Sequence, residues 1–471
     1  MADTKIETTG MDSTGMDSTG MDSTEMDSTE VQTPDQLAAA VMVLYEAGVE
    51  GDRRAFEPLA LAMFRYQYQA NQPYRQFCDA RGVSPDQVEH WQQIPAFPTD
   101  AFKKELVTSF PKEEAVMAQL TSGTTANKRG QIFRDKLGRE LVFAANRVMT
   151  AAYLFPDQAL LEQQNRRCRV LILAPSPQMA PSMGMAMGME ETRVRFGAGN
   201  SQFLLTKSGI DIKTMIRALE ECEASGQPVA FIGATGAFVY FFQACQKRGV
   251  SFRLPAGSRI GDGGGYRGRF GAVDRQAYYQ MAEQVLGLSS DHCINVLGMA
   301  ESATNFFENS LRDRVQGAAA SERRMIPPPW ARTDVVDPVS LEPLAAGEVG
   351  LLRHFDLSNL PTVLAVQSDN LGVVHTDGSF QIIGRAQLQD GQIATAPAER
   401  TVGPMGDNKI FRFLENYVNF SIRFKMGLVT GRKPKLAAAT DLAMGADCPC
   451  GEGIEQLVEQ TKDNNQAQKR P

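Results

Sequence analysis

Hydrophobic and polar positions alternate in different ways along the chain, and the changes mark its organisation. Residues 1–31 hold no apolar run, because the unit Gly-Met-Asp-Ser-Thr recurs with a period of five from Gly10 to Thr29. Short units of small and acidic residues cannot bury a core, so this segment is expected to be a disordered tail. Thr33-Pro34 then has the form of a helix start, and Leu37, Val41, Leu44 and Tyr45 follow at helical spacing. From there to about residue 165 the spacing predicts mainly helices, broken by Pro-containing turns such as Ile94-Pro-Ala-Phe-Pro-Thr99.

After residue 165 the apolar residues gather into short continuous runs: Val170–Ala174, Val229–Ile232 and His292–Leu297. Runs of this length read as buried strands, and helical patterns over Ile212–Glu221 and Gly236–Arg248 separate them. Strands alternating with helices predict an α/β fold whose mainly parallel sheet is covered on both faces. Beyond residue 335 the texture changes to short strands with Gly and Asp turns, including Gly350–Arg353 and Phe380–Ile383. Residues after Arg385 are richer in Pro, Gly and Lys. The expected organisation is a tail over 1–31, a large domain over 32–385 and a small C-terminal domain or tail over 386–471.

Charge sharpens this division. The 471 residues carry 48 Lys+Arg and 55 Asp+Glu, a net charge of −7. Residues 1–30 contain eight acids and one base, 1 − 8 = −7, which leaves 47 acids and 47 bases for the rest. The body is therefore balanced, with no basic footprint for nucleic acid. No stretch approaches the ~20 apolar residues that span a bilayer, and the N-terminus has no signal-peptide pattern. Seven cysteines, mostly isolated, suit a reducing compartment, so a cytoplasmic location is expected.

The residues with chemical potential lie in a definite order. Thr121-Ser122-Gly123-Thr124-Thr125 offers hydroxyl and backbone N–H donors to phosphate oxygens, and Lys128 adds charge. It lacks the Walker spacing, and standing alone it also reads as an ordinary loop. Gly263-Gly264-Gly265-Tyr266 follows a strand-like segment, where glycines admit a flat ligand and an aromatic ring stacks on it; a flexible turn is the plain alternative. Glu301, just past the run ending at Leu297, stands where open α/β sheets bind ligands, and one carboxylate there suits Mg²⁺ shared with phosphate oxygens. Asp369 suits a ribose diol, and Arg385 follows in Ile383-Gly-Arg385; taken singly, the two read more readily as a turn Asp and a surface Arg. The methionines Met179, Met183, Met185, Met187 and Met189, interleaved with glycines, read either as an adaptable lining for an alkyl chain or as a soft loop packed on the core.

In this order the pieces resemble the adenylate-forming enzyme superfamily. They are most similar to its long-chain-fatty-acid–protein ligase branch, the acyl-protein synthetases of bacterial luminescence systems, over about residues 35–390. Ile94-Pro-Ala-Phe-Pro-Thr-Asp-Ala-Phe-Lys103, with Thr121–Thr125 some twenty residues later, resembles that branch in particular. The resemblance implies that Thr121–Thr125 and Lys128 cradle the phosphates of ATP, that Gly263–Gly265 and Tyr266 flank the adenine and acyl group, and that Glu301 ligates Mg²⁺. It also implies that Asp369 binds the ribose and that Arg385 stands at the hinge to the small domain. The implied reaction joins a fatty acid to AMP with release of pyrophosphate, and a thiol then takes the acyl group.

Two departures accompany the resemblance. Ala126 stands where many members have Gly, and the superfamily's late catalytic lysine has no recognisable motif, although Lys425, Lys433 and Lys435 are stand-ins. The branch carries its acyl group on a late cysteine, a role for which this chain offers Cys448 and Cys450; the plain alternatives for the pair are idle surface thiols or half of a metal site. A further acceptor would be a protein such as a reductase. Two other readings stay open: a ligase that uses coenzyme A, and a non-catalytic nucleotide- or partner-binding protein. The four His show no spacing that suggests a catalytic triad.

Overall fold

The computed structural model describes residues 32–120, 131–179, 184–206, 209–264, 274–318, 322–389 and 392–397. The helices are α1 (Pro34–Ala47), α2 (Phe56–Ala70), α3 (Gln72–Asp79), α4 (Lys136–Tyr153), α5 (Gln158–Gln163), α6 (Gly184–Phe196), α7 (Ile212–Ser225), α8 (Thr235–Arg248), α9 (Arg275–Leu286) and α10 (Ser310–Val315). α1 starts as its sequence predicts. Thr33 Oγ1 accepts from the Gln36 N–H at 3.3 Å, and Gln36 Oε1 accepts from the Thr33 N–H at 2.8 Å, a reciprocal capping box with Pro34 in the first turn. Leu37, Val41, Leu44 and Tyr45 are all buried on its inner face.

The first strands are β1 (Phe97–Pro98), β2 (Met117–Leu120), β3 (Gln131–Arg134), β4 (Arg169–Leu173), β5 (Gln202–Phe203), β6 (Leu205–Thr206) and β7 (Gly209–Ile210). They are followed by β8 (Val229–Ala234), β9 (Arg259–Gly263), β10 (Cys293–Leu297), β11 (Phe306–Phe307), β12 (Ala331–Val336), β13 (Val349–Asp356), β14 (Ala365–Val374), β15 (Phe380–Gln389) and β16 (Gln392–Pro397).

The central sheet has the order β11-β10-β9-β8-β4-β5, parallel throughout except for β11. Every residue of β4 and β8 is buried, so both faces of these strands are covered, which is why they read as unbroken apolar runs. α8 and α9 make the crossovers from β8 to β9 and from β9 to β10. Arg259 of β9, wholly buried, forms two 2.6 Å bonds with Asp157 and so anchors the sheet to the turn before α5.

The second sheet, β12-β13-β14-β15-β16, is antiparallel, with β1 added in parallel to β14. Its strands reach ten residues, longer than the short strands expected. β15 runs unbroken through Arg385–Ala386, so a domain boundary there would divide a strand. The first region is also less purely helical than its spacing predicts. β2 and β3 pair as a hairpin, Leu120 opposite Gln131, whose four-residue arms are too short to show a period. No helix among the described residues is long and apolar enough to cross a membrane.

Candidate active site

The parallel strands deliver their C-terminal ends to one level. Ala234 of β8 lies opposite Gly263 of β9, and Gly263 lies opposite Val296 of β10. A cavity of about 220 Å³ opens at this level. Its sheet-side wall includes Gly233, Gly263, Gly264 and Val296, and its helix-side wall includes Asn146 and Arg147 of α4 and Met189 and Glu191 of α6. Of the predicted glycines, Gly263 and Gly264 lie on this wall. Gly264 has φ +94°, a conformation that a side chain rarely adopts, and a Cβ on Gly263 would meet the Val296 carbonyl at 3.4 Å.

The methionine-rich segment differs from a loop. From Gly184 it is helical, and Met189 lines the cavity while α6 is tied to α4 by Arg147 Nε donating to Glu191 Oε1 at 2.6 Å. Glycines at 184 and 188 did not prevent helix formation in a segment that packs on α4, β2 and β4.

Past β10 the chain turns through Gly298, Met299 and Ala300, all on the cavity wall, into Glu301. Glu301 is buried at 9 % exposure, and fixed groups hold the turn on both sides of it. Asn359 Nδ2 donates to the Glu301 carbonyl at 3.0 Å. Asp356 accepts from the Thr304 N–H at 2.7 Å, the Thr304 hydroxyl at 2.9 Å and the Ser302 hydroxyl at 3.2 Å. Asn146 closes the far side, donating to the Ala303 carbonyl at 2.8 Å and accepting from the Asn305 N–H at 2.9 Å.

The second sheet reaches the same turn. Asn370 of β14 pairs with Arg385 of β15, and its Nδ2 lies 3.8 Å from the Met299 sulfur. Asp369, the residue before it, is exposed and is not on the cavity wall. Thr121–Thr125, Lys128, Gly265, Tyr266, Cys448 and Cys450 lie outside the described residues. The strand entering the first of these segments is described, and its Gln119 is on the cavity wall.

Asp262 of β9 has no counterpart among the residues singled out from sequence. It is 1 % exposed; Thr235 Oγ1 donates to its Oδ2 at 2.6 Å and Asn295 Nδ2 at 3.0 Å, while Oδ1 has no partner among the described residues. Burial pushes its carboxyl up to about 6, against the two hydrogen bonds. An acid set between glycines at a strand end is the signal that marks it. Arg134 and Asn359 carry no such signal, because their partners are far away in sequence.

Five cysteines, Cys78, Cys168, Cys222, Cys245 and Cys293, are free and buried. Burial pushes the Cys78 and Cys245 thiols up to about 12 and raises the other three. None of the five is poised as a nucleophile. The histidines are dispersed: His90 meets Glu57, His292 meets Ser289, His354 is buried against Thr333 and His375 meets Gln381. Among the described residues no group of three or more His, Cys, Asp or Glu could hold a metal ion. Glu301 is a single buried carboxylate next to Ala300 of the cavity wall and is not itself on that wall.

Comparison with known proteins agrees with this architecture. The long-chain-fatty-acid–luciferin-component ligase of Vibrio harveyi is 24% identical over 323 residues, covering 68% of this chain and 79% of that one. Its namesake from Aliivibrio fischeri is 24% identical over 332 residues, covering 70% and 82%. Among solved structures, 2-hydroxyisobutyryl-CoA ligase in its postadenylation state with R3-HIB-AMP superposes with a TM-score of 0.51 at 12% identity, covering 79% of this chain and 74% of that one. The fold is therefore that of adenylate-forming enzymes, as expected from the order of the motifs. The family model of acyl-protein synthetase, LuxE, matches residues 26–392, and the chain belongs to that family.

Proposed function

We propose that this chain activates a fatty acid with ATP and transfers the acyl group to a protein thiol. The observation that carries the reading is the cavity at the ends of β8, β9 and β10, where Gly263–Gly264 and the Gly298–Ala300 turn face one space in a chain of this family. In the first step a carboxylate oxygen attacks the α-phosphorus of ATP, and pyrophosphate leaves to give acyl-AMP. A thiolate then attacks the acyl carbonyl and AMP leaves. Gly263, Gly264 and Gly265 admit the planar base, with Tyr266 beside it; Thr121–Thr125 and Lys128 hold the phosphates, and Asp369 and Arg385 serve the ribose side. Glu301 would hold Mg²⁺, which neutralises phosphate charge when bound.

The family resemblance implies a late cysteine as acyl carrier ahead of an acceptor protein, and Cys448 and Cys450 are the residues this chain offers. The burial and raised thiols of the five described cysteines support that reading. Five buried free thiols also suit the cytoplasm. Incubation with labelled fatty acid and ATP is expected to leave a hydroxylamine-labile acyl label on the chain, lost when Cys448→Ser and Cys450→Ser are combined. Label that survives the double substitution would remove the cysteine assignment, and product formed only with added coenzyme A would favour the CoA ligase.

A further inference from the structure

β3 ends at Arg134, whose side chain is wholly buried yet forms no ion pair among the described residues. A buried guanidinium with no carboxylate in ion-pair contact is costly to keep charged. Its environment registers this: burial holds the guanidinium down to about 10, and Asp356 and Asp135 offset only part of the effect.

The donors of Arg134 are distributed over three segments. Nε donates to Gln119 Oε1 at 2.9 Å, Nη2 donates to the Ala300 carbonyl at 3.4 Å, and Nη1 and Nη2 both approach Asn359 Oδ1, at 3.5 and 3.4 Å. Asn359 turns its own amide to the Glu301 carbonyl at 3.0 Å. Gln119 lies on the strand that leads into Thr121–Thr125, and Arg134 itself closes the strand that returns from it. One planar group therefore joins both strands flanking the hydroxyl-rich segment to the turn carrying Glu301. Lysine, a point charge, has no fixed fork with which to hold these directions.

We propose that Arg134 is a positioning residue for nucleotide binding, holding the β2–β3 strands, with Gln119 on the cavity wall, in place against the cavity-wall turn at Ala300. The inference rests on the ATP-dependent reading given above. It assigns Arg134 no contact with substrate; its effect passes through Gln119 and Asn359.

The test uses the full chain with Arg134→Met, Arg134→Lys, Gln119→Leu and Asn359→Leu, each checked for folding by circular dichroism. Acid-dependent pyrophosphate exchange is titrated separately with ATP and with fatty acid. Arg134→Met is expected to raise the KM for ATP about tenfold or more while leaving that for the acid within about twofold, because misplacement acts on the ATP contacts. Arg134→Lys should recover part of the loss. Asn359→Leu should raise the KM for ATP on its own and add little in the Arg134→Met background.

A folded Arg134→Met with an unchanged KM for ATP, or with both KM values raised alike, would overturn the proposal. If Arg134→Met does not fold, Gln119→Leu and Asn359→Leu decide, and no change in either overturns it. If the unaltered chain exchanges no pyrophosphate, ATP binding by calorimetry separates the two ideas. Binding that weakens in the variants keeps the positioning role without activation, and no binding at all removes both.

Discussion

At the scale of single residues, Asp262 shows how burial and hydrogen bonding compete. Two donors favour its carboxylate, yet enclosure wins, and the carboxyl is pushed from 3.8 up to about 6. The folded chain therefore holds this proton more tightly than the unfolded chain does. Between pH 4 and 6 the unfolded state releases its proton first, so the contribution of Asp262 to stability falls as pH rises through that window. A shift of this size corresponds to about 3 kcal/mol, as an order of magnitude. Asp262→Asn, which cannot ionise, is expected to gain on the unaltered chain by that amount between pH 4 and pH 7 in urea unfolding. A difference independent of pH would show that the group titrates normally. The positions of Gly263 and Gly264 on the cavity wall were legible in the sequence because a glycine run at a strand end is a local feature. Arg134, Asn359 and Asp356 were not, since 225 residues separate Arg134 from Asn359 and only the fold brings them together.

At the scale of elements, legibility followed length and burial. β4, β8 and β10 appear in the sequence as apolar runs because they lie inside a covered sheet, and α1 appears through its cap and its 3.6-residue spacing. The β2–β3 hairpin and α6 escaped, the first for lack of length and the second because glycine and methionine dilute its pattern. The second sheet depends on close approach at particular positions. A Cβ on Gly372 of β14 would lie 2.3 Å from the Gln381 carbonyl oxygen and 2.7 Å from Leu352 Cδ1, where the β14–β15 register also shifts. Gly372→Ala is therefore expected to destabilise the fold by roughly 1–3 kcal/mol, the usual range for overpacking. Gly199→Ala, with nothing within 4 Å of the added carbon, is the control and should change stability by about 0.5 kcal/mol or less. Equal losses in the two variants by denaturant unfolding would mean that the packing at Gly372 is not limiting.

At the scale of the whole molecule, the two sheets cooperate on one site. The parallel sheet supplies a glycine-lined floor and the Gly298–Glu301 turn, while the antiparallel sheet supplies Asp356, which holds Ser302 and Thr304 just past that turn, and Asn370, which touches Met299. The acidic net charge belongs to residues 1–30 and does not bear on this arrangement, since the remaining chain is balanced. Fold and family were legible because the motif order survives where individual motifs are degenerate. The acid and the acceptor thiol were not, because they depend on cavity shape and on residues late in the chain. The central claim is acid activation, and its most direct measurement is exchange of labelled pyrophosphate into ATP by the full chain with a series of fatty acids. Exchange that requires both the acid and the enzyme is the predicted result; no exchange with any carboxylic acid, under conditions where the chain is folded and Mg²⁺ is supplied, would contradict it.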